Sequence, residues 1–294
     1  MSRRVTYETD KGGYQTKLLI KSILIYIVLV LLTIVCLAPL WLMFVQASLS
    51  NKESSHFHIL PSTHFFENFK TLLNDPNYTS LYKPWRGLFN SFFVAASCAA
   101  LVVFFAGLTA YGLVVYDFKL KGPAFVFIIA VMMIPTQVTT VGFLSMIAKF
   151  KLVDSFIPLI VPSIAPPAIV FFMRQYMLSS FPLDIIEAAR IDGSNEFRTF
   201  LTISIPMMKP AFAVQAIFAF IQKWNDYYTQ NLVLVSSKKW TLPMMVRNVS
   251  AVRNSIDHGA VNFAIFFSII PVALVYIFLS KFIIGGVAAG GVKE

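Results

Sequence analysis

Two groups of residues in this chain have types and spacings that could do chemistry. His56, His58 and His64 stand close together in the sequence, a density that invites a metal site. They come as His-x-His and a later His with no cysteine near them, a pattern that fits a solvated loop better than a metal centre. The second group is Glu187-Ala188-Ala189-Arg190-Ile191-Asp192-Gly193, continuing to Ile203-Ser204-Ile205-Pro206, a polar and densely patterned island in an apolar chain. Neither group brings together an acid, a base and a nucleophile, so no catalytic residue is assigned and the chain does not read as an enzyme. Cys36 and Cys98 lie inside apolar runs, where a thiol packs as a small hydrophobe, which offers no disulfide framework and no metal ligand set.

The chemistry of the island is that of docking. Asp184 with Glu187 three residues on reads as a capping box that opens a short helix. Gly193 supplies a residue that tolerates positive φ just past the helix end, and Ser194 restarts a second helix that Pro206 must disturb. The result is a helix-turn-helix. Its expected outer face is apolar (Ile185, Ala188, Ala189, Phe197, Phe200, Leu201), with Glu187, Arg190, Asp192, Glu196 and Arg198 at the rim.

What must hold this island is a membrane domain. The chain is 57% apolar and 13% charged, about half the charged share of an ordinary soluble protein. Its net charge of +10 would suit nucleic acid in a soluble protein; beside membrane spans it suits anionic lipid, so a lipid surface and no nucleic acid is expected. Apolar runs predict six membrane helices, over about 22–48, 89–116 (broken by Gly107 and Gly112), 124–147, 155–177, 210–235 and 260–284. The first run is too long for a signal peptide and reads as an anchor that stays. The expected layout is therefore an all-α integral membrane protein: an N-terminal cytoplasmic segment 1–21, a membrane domain 22–284, and a flexible glycine-rich cytoplasmic tail 285–294. Within the domain, outer loops cover 50–86 and 236–259, and the helix-turn-helix 182–206 sits between the fourth and fifth spans. Pro135 with Thr136, Gln137, Thr139 and Thr140 in the third span, and Pro158, Pro162, Pro166 and Pro167 in the fourth, free backbone groups that need protein or water around them. Those two spans should line a pathway.

A pathway for uphill transport needs an energy source. The middles of the six expected spans carry no Asp, Glu or His to bind a coupling ion, and Asp154 and Asp226 fall near span ends. No Gly-x-x-x-x-Gly-Lys-Ser/Thr cradle for nucleotide phosphates occurs. The energy should then enter mechanically, from another polypeptide, at the helix-turn-helix.

The spacing of Glu187-Ala188-Ala189, Gly193 and Ile203-Ser204-Ile205-Pro206 resembles the cytoplasmic coupling loop of ABC importer permeases, with Ile205 where that family usually has Leu. Pro182, Asp192-Gly193, Lys209-Pro210, Trp224-Asn225-Asp226 and the Ala-Gly-Gly-Val-Lys tail resemble the carbohydrate subgroup, the maltose and multiple-sugar type. The resemblance covers roughly residues 20–294. It implies a bacterial inner-membrane, multi-pass permease with both termini cytoplasmic. It also implies pairing with a second, related permease as a heterodimer, with two ATP-binding subunits that carry ATP and Mg, and with an extracytoplasmic sugar-binding protein. No cofactor would belong to this chain. Glu187, Ala188, Ala189, Arg190, Asp192, Gly193 and Pro206 would be the ATPase-coupling residues. For the sugar, amide and aromatic groups suggest Gln137, Gln222, Trp224, Asn225 and Tyr227. An importer for amino acids or peptides, or an ion-coupled carrier, stands as the alternative.

Overall fold

A computed structural model describes residues 11–135, 138–164, 166–252 and 257–291, and every regular element among them is helical. Of the sequence-derived candidates, Gln137 lies outside the described residues. The chain divides into two compact units, one of residues up to 69 with 257–266, the other of 70–256 with the chain from 267 onward.

The first unit is built on α1 (Lys11–Ser48), whose apolar window is not buried against the chain at all. Its C-terminal carbonyls would be left without donors, as at any helix end. Asn68, at the start of α2 (Phe65–Asn74), supplies them: its side-chain amide donates to the Ala47 and Leu49 carbonyls at 2.9 and 2.8 Å. Phe44, Phe65, Phe263 and Phe266 pack there with ring centroids 4.8 to 5.9 Å apart. Of the three histidines, His64 lies 3.5 Å from the Glu53 carboxylate and 3.8 Å from Glu67, and His56 is exposed.

In the second unit, after α3 (Pro76–Thr79), the central post is α4 (Pro84–Val115). Its expected break at Gly107 and Gly112 does not occur: the helix is continuous, and at about 1.5 Å per residue its 32 residues outrun a bilayer core of about 30 Å. Gly107 instead permits close packing, since a Cβ there would lie 2.3 Å from the Phe212 ring on α12 (Lys209–Trp224). The third expected span is two short helices, α5 (Lys121–Met132) and α6 (Thr140–Lys149), parted at Pro135. Each is about 15 to 18 Å long, too short to cross alone. The four prolines of the fourth run act as read: α7 (Ile157–Ile160) passes into a 3-10 turn over Val161–Ile164 before α8 (Pro167–Ser180).

Helices α9 (Asp184–Ile191), α10 (Glu196–Thr199) and α11 (Ile205–Met207) follow, and the chain then bends by 83° into α12. The fifth expected span also breaks, at Asn225-Asp226, before α13 (Tyr227–Val233). There Asp226 caps the new helix by accepting the Thr229 N–H at 3.0 Å. Beyond α14 (Leu242–Ser250), α15 (His258–Gly291) runs on through the glycine-rich stretch where a flexible tail from 285 was expected. Among the described residues, four helical stretches are long and apolar enough to cross a membrane: Leu18–Ser48, Pro76–Val115, Ile157–Ser180 and His258–Phe278; counting the bent pair 196–207 with 209–224 makes five.

Candidate functional site

The helix-turn-helix forms, though two of its local signals act differently from the sequence reading. Leu183, not Asp184, is the N-cap of α9, and no side chain caps it; Asp184 and Glu187 lie inside the first turn, where their charge favours the helix dipole. At the other end the turn is a full Schellman motif. The Ser194 N–H donates to the Ala189 carbonyl and the Gly193 N–H to the Arg190 carbonyl, both at 3.0 Å, with Gly193 at φ +77°. The second helix is restarted by Asn195, whose side chain accepts the Arg198 N–H at 2.8 Å; Ser194 bonds the Thr199 hydroxyl instead. A π-helical turn over Phe200–Ser204 precedes Pro206, which lies at the start of α11, where a missing backbone donor costs least.

Packing divides the island into a back and a front. Ile186, Phe200 and Met208 are fully buried with Ala110, Tyr111, Met173, Met177 and Phe181, so the knob is seated on α4 and α8. Phe200 and Ala189, expected on the open face, therefore belong to the back, with Phe200 packed on the Tyr111 ring, centroids 5.5 Å apart. The front keeps Leu183, Ile185, Ala188, Ile191, Phe197 and Leu201 exposed.

The charges divide in the same way. Arg190 and Glu196, expected at the rim for a partner, pair with each other at 2.7 Å across the turn. Glu196 also accepts a hydrogen bond from the Tyr111 hydroxyl at 2.8 Å, and Arg190 lies 5.5 Å from the Tyr116 ring centre. The hydrogen bond from Arg190 holds the Glu196 carboxyl below the usual carboxylate range, outweighing its partial burial. In contrast, the side chains of Glu187, Asp192 and Arg198 are exposed and make no hydrogen bond or ion pair with any described residue. The arrangement is a stiff knob with a fixed root and an open, mixed-charge face.

A second polar region lies in the same unit. A cavity of about 590 Å³ is walled by the proline turns of α7 and α8, by Thr139 and Thr140, and by the break between α12 and α13. Its polar lining includes Ser163, Gln222, Lys223, Asp226, Tyr228 and Thr229. Lys223 and Asp226 pair at 3.3 Å. Of the residues read from sequence, Gln222 stands on the wall. Trp224 is buried, stacked on Phe220 with its indole N–H donating to the Ser268 carbonyl at 3.3 Å, and Tyr227 packs among Val233, Leu234 and Met244. Asn225 is exposed and off the wall. Lys223, Asp226, Tyr228 and Thr229 were missed as site residues; the signal for them is Asp226 acting as a helix cap, which restarts the helix with a new phase.

Close by, Asp154 joins two segments. In the left-handed conformation (φ +58°), its carboxylate accepts from the Val235 and Ser236 N–H groups at 3.0 Å and from the Ser236 hydroxyl at 2.8 Å, with the Lys239 ammonium 3.3 Å away. Burial would push this carboxyl up, but the bonds from Ser236, Val235 and Lys239 outweigh it and hold it down at about 2.

Comparison with known proteins agrees with this geometry. Residues 102–287 match the family described as binding-protein-dependent transport system inner membrane component. The chain is 35% identical over 237 residues to the arabinooligosaccharides transport system permease protein AraQ of Bacillus subtilis (strain 168), covering 79% of this chain and 80% of that one. It is 28% identical over 268 residues to the sn-glycerol-3-phosphate transport system permease protein UgpE of Escherichia coli O1:K1 / APEC, covering 90% and 95%. A chain in the crystal structure of a bacterial ABC transporter involved in the import of the acidic polysaccharide alginate superposes with a TM-score of 0.74 at 21% identity, over 94% of this chain and 99% of that one, which shows a shared fold. With the family pattern spanning the knob, the cavity and the helices that carry both, this chain belongs to the inner-membrane permease components of binding-protein-dependent transport systems.

Proposed function

We propose that this chain forms half of the translocation pathway of an ATP-driven importer of sugar oligomers and receives the ATPase stroke through residues 182–206. The observation that carries the reading is the division of the knob: a root fixed in the core by Ile186, Phe200 and Met208, and a face on which the side chains of Glu187, Asp192 and Arg198 have no partner among the described residues. A groove on an ATP-binding subunit would take that face, with Ala188 allowing close approach and the charges setting orientation. Because the root is part of the core with α4 and α8, drawing two such subunits together tilts those helices and moves access from one side to the other. The sugar assignment is supported by the carbohydrate-type residues and by the name of the arabinooligosaccharide relative.

In this reading the third span is the pair α5 and α6 with the Pro135 break in mid-membrane, and the fifth is α12 continued by α13, which makes six. Both termini lie in the cytoplasm, and 50–86 and 236–259 face the binding protein. The bare apolar flank of α1 is left to lipid and to a related permease in a heterodimer. The chain itself holds no cofactor; two partner ATPases hold ATP and Mg. The test is reconstitution of the permease pair in liposomes with its binding protein, with and without the ATPase subunits, followed by uptake of arabinotriose. Uptake against a gradient only with the ATPases and ATP is the expected outcome, and accumulation without the ATPases would refute it.

A further inference from the structure

The break between α12 and α13 turns a short stretch of backbone into a built polar site. Asp226 has both carboxylate oxygens engaged: Oδ1 accepts the Thr229 N–H at 3.0 Å, and Oδ2 lies 3.3 Å from the Lys223 ammonium. The Lys223 backbone is fixed in turn by Gln230, which is 1% exposed and donates its side-chain amide to the Lys223 carbonyl at 2.8 Å. Gln230 accepts from the Thr241 hydroxyl. A buried amide and a helix cap thus hold one cation and one anion side by side on the wall of the 590 Å³ cavity, a volume within the range of small-ligand sites.

An ammonium has three N–H donors, and one is directed at Asp226, which leaves two. The carboxylate, with about four lone-pair positions, has acceptor capacity left beside its two bonds. A donor and an acceptor about 3 Å apart match the spacing of hydroxyls on neighbouring carbons of a sugar ring. Tyr228, exposed on the same wall, adds an apolar ring face. The net charge of the pair is zero, so it gives no Coulombic advantage to an anion.

The geometry points to a sugar subsite belonging to this chain, in which Lys223 and Asp226 hold two adjacent hydroxyls and, by cancelling each other's charge, favour neutral sugars over uronic acids. This specificity rests on the sugar-importer reading above. In that frame Asp226 is the selector: it makes Lys223 a hydroxyl donor where an unpaired lysine would be an anion trap.

The complete transporter, reconstituted with its binding protein, separates these roles by the ratio of arabinotriose to trigalacturonate uptake. The binding protein's own preference is the same in every sample and cancels between variants. Asp226→Asn keeps a good helix cap but leaves Lys223 positive, so the ratio should fall by roughly tenfold, the equivalent of about 1.4 kcal/mol. Lys223→Gln removes the cation and leaves Asp226 negative, so the ratio should hold or rise while the KM for arabinotriose increases. A merely structural lesion lowers both sugars together and leaves the ratio where it was. If both variants keep the wild-type ratio, or if Lys223→Gln alone does so with an unchanged KM where Asp226→Asn does not assemble, the subsite is refuted. If the wild-type transporter moves neither trisaccharide with ATP, the sugar reading itself has failed.

Discussion

The knob and the cavity are both polar interruptions of an apolar chain, and they put an ion pair to opposite uses. In the knob, one ion pair is used up internally. Arg190 and Glu196 lock the turn, Tyr111 ties the pair to α4, and Glu187, Asp192 and Arg198 are left exposed. In the cavity, the pair Lys223–Asp226 is also made, but it faces an internal space. A charge pair that braces structure and one that meets a ligand thus look alike in sequence. What distinguishes them is where the faces not used by the pair are directed: onto core aromatic rings in one case, into a cavity in the other.

The largest effect should come from Gly193→Asp. Its φ of +77° costs most side chains roughly 1–2 kcal/mol, less for Asp; the new carboxylate adds a negative charge at the helix C-terminus, where the dipole disfavours an anion, and the Schellman bonds from residues 193 and 194 depend on that conformation. Nothing lies within 4 Å of a Cβ at this position, so the damage is to turn geometry and not to packing. ATP-driven uptake should vanish while the protein stays membrane-inserted and monodisperse in detergent. Normal uptake by this variant would show that the turn does not carry the stroke.

How much of this could be read from the sequence depended on whether local signals were self-sufficient. Gly193 was legible because a helix end followed by glycine has one common solution. Phe200 was not: it is buried against Tyr111 of α4 and the α8 methionines, contacts with residues far off in sequence that no local pattern displays. An error of phase explains Tyr227: continuing α12 as one helix past Asn225 projects it toward a pathway, whereas the Asp226 cap restarts the helix and presents Tyr228 and Thr229 instead. Trp224, still within α12, is buried by its own partners, the Phe220 ring and the Ser268 carbonyl. Asp184 failed as a cap because Leu183 already occupies that position with helical backbone angles. The broken third span follows from Pro135, which the sequence displays, whereas the packing of its first half, α5, against α8 is a long-range contact that the sequence does not display.

A smaller effect is expected from Tyr111→Phe, which removes only the hydroxyl bonded to Glu196 and keeps the ring against Phe200. A hydrogen bond to a charged acceptor contributes about 1.5–3 kcal/mol when buried, and less here because Glu196 is partly solvated. If the bond links the knob to α4, the number of ATP hydrolysed per sugar imported should rise severalfold, with transporter assembly unchanged. An unchanged ratio would reduce Tyr111 to a packing residue and weaken the contrast between brace and ligand pair.

The smallest effect belongs to Asp154, whose bonds staple the start of α7 to residues 235–239. Its folded-state pKa of about 2 is below the unfolded value of about 3.9. A depressed carboxylate contributes stability that is fully present above the unfolded pKa and is lost as pH falls through the folded one. The staple should therefore be indifferent to pH from neutrality down to about 4 and weaken between about 4 and 2. Asp154→Asn should remove that dependence, because an amide has no proton to take up in this range. Limited proteolysis of the 235–240 segment at stepped pH reads it directly: the wild type should become cleavable only in the acidic window, and the variant at a constant rate across it. Cleavage of the wild type that begins near pH 6 would mean that another group holds this segment, and that Asp154, for all its bonds, follows the structure instead of fixing it.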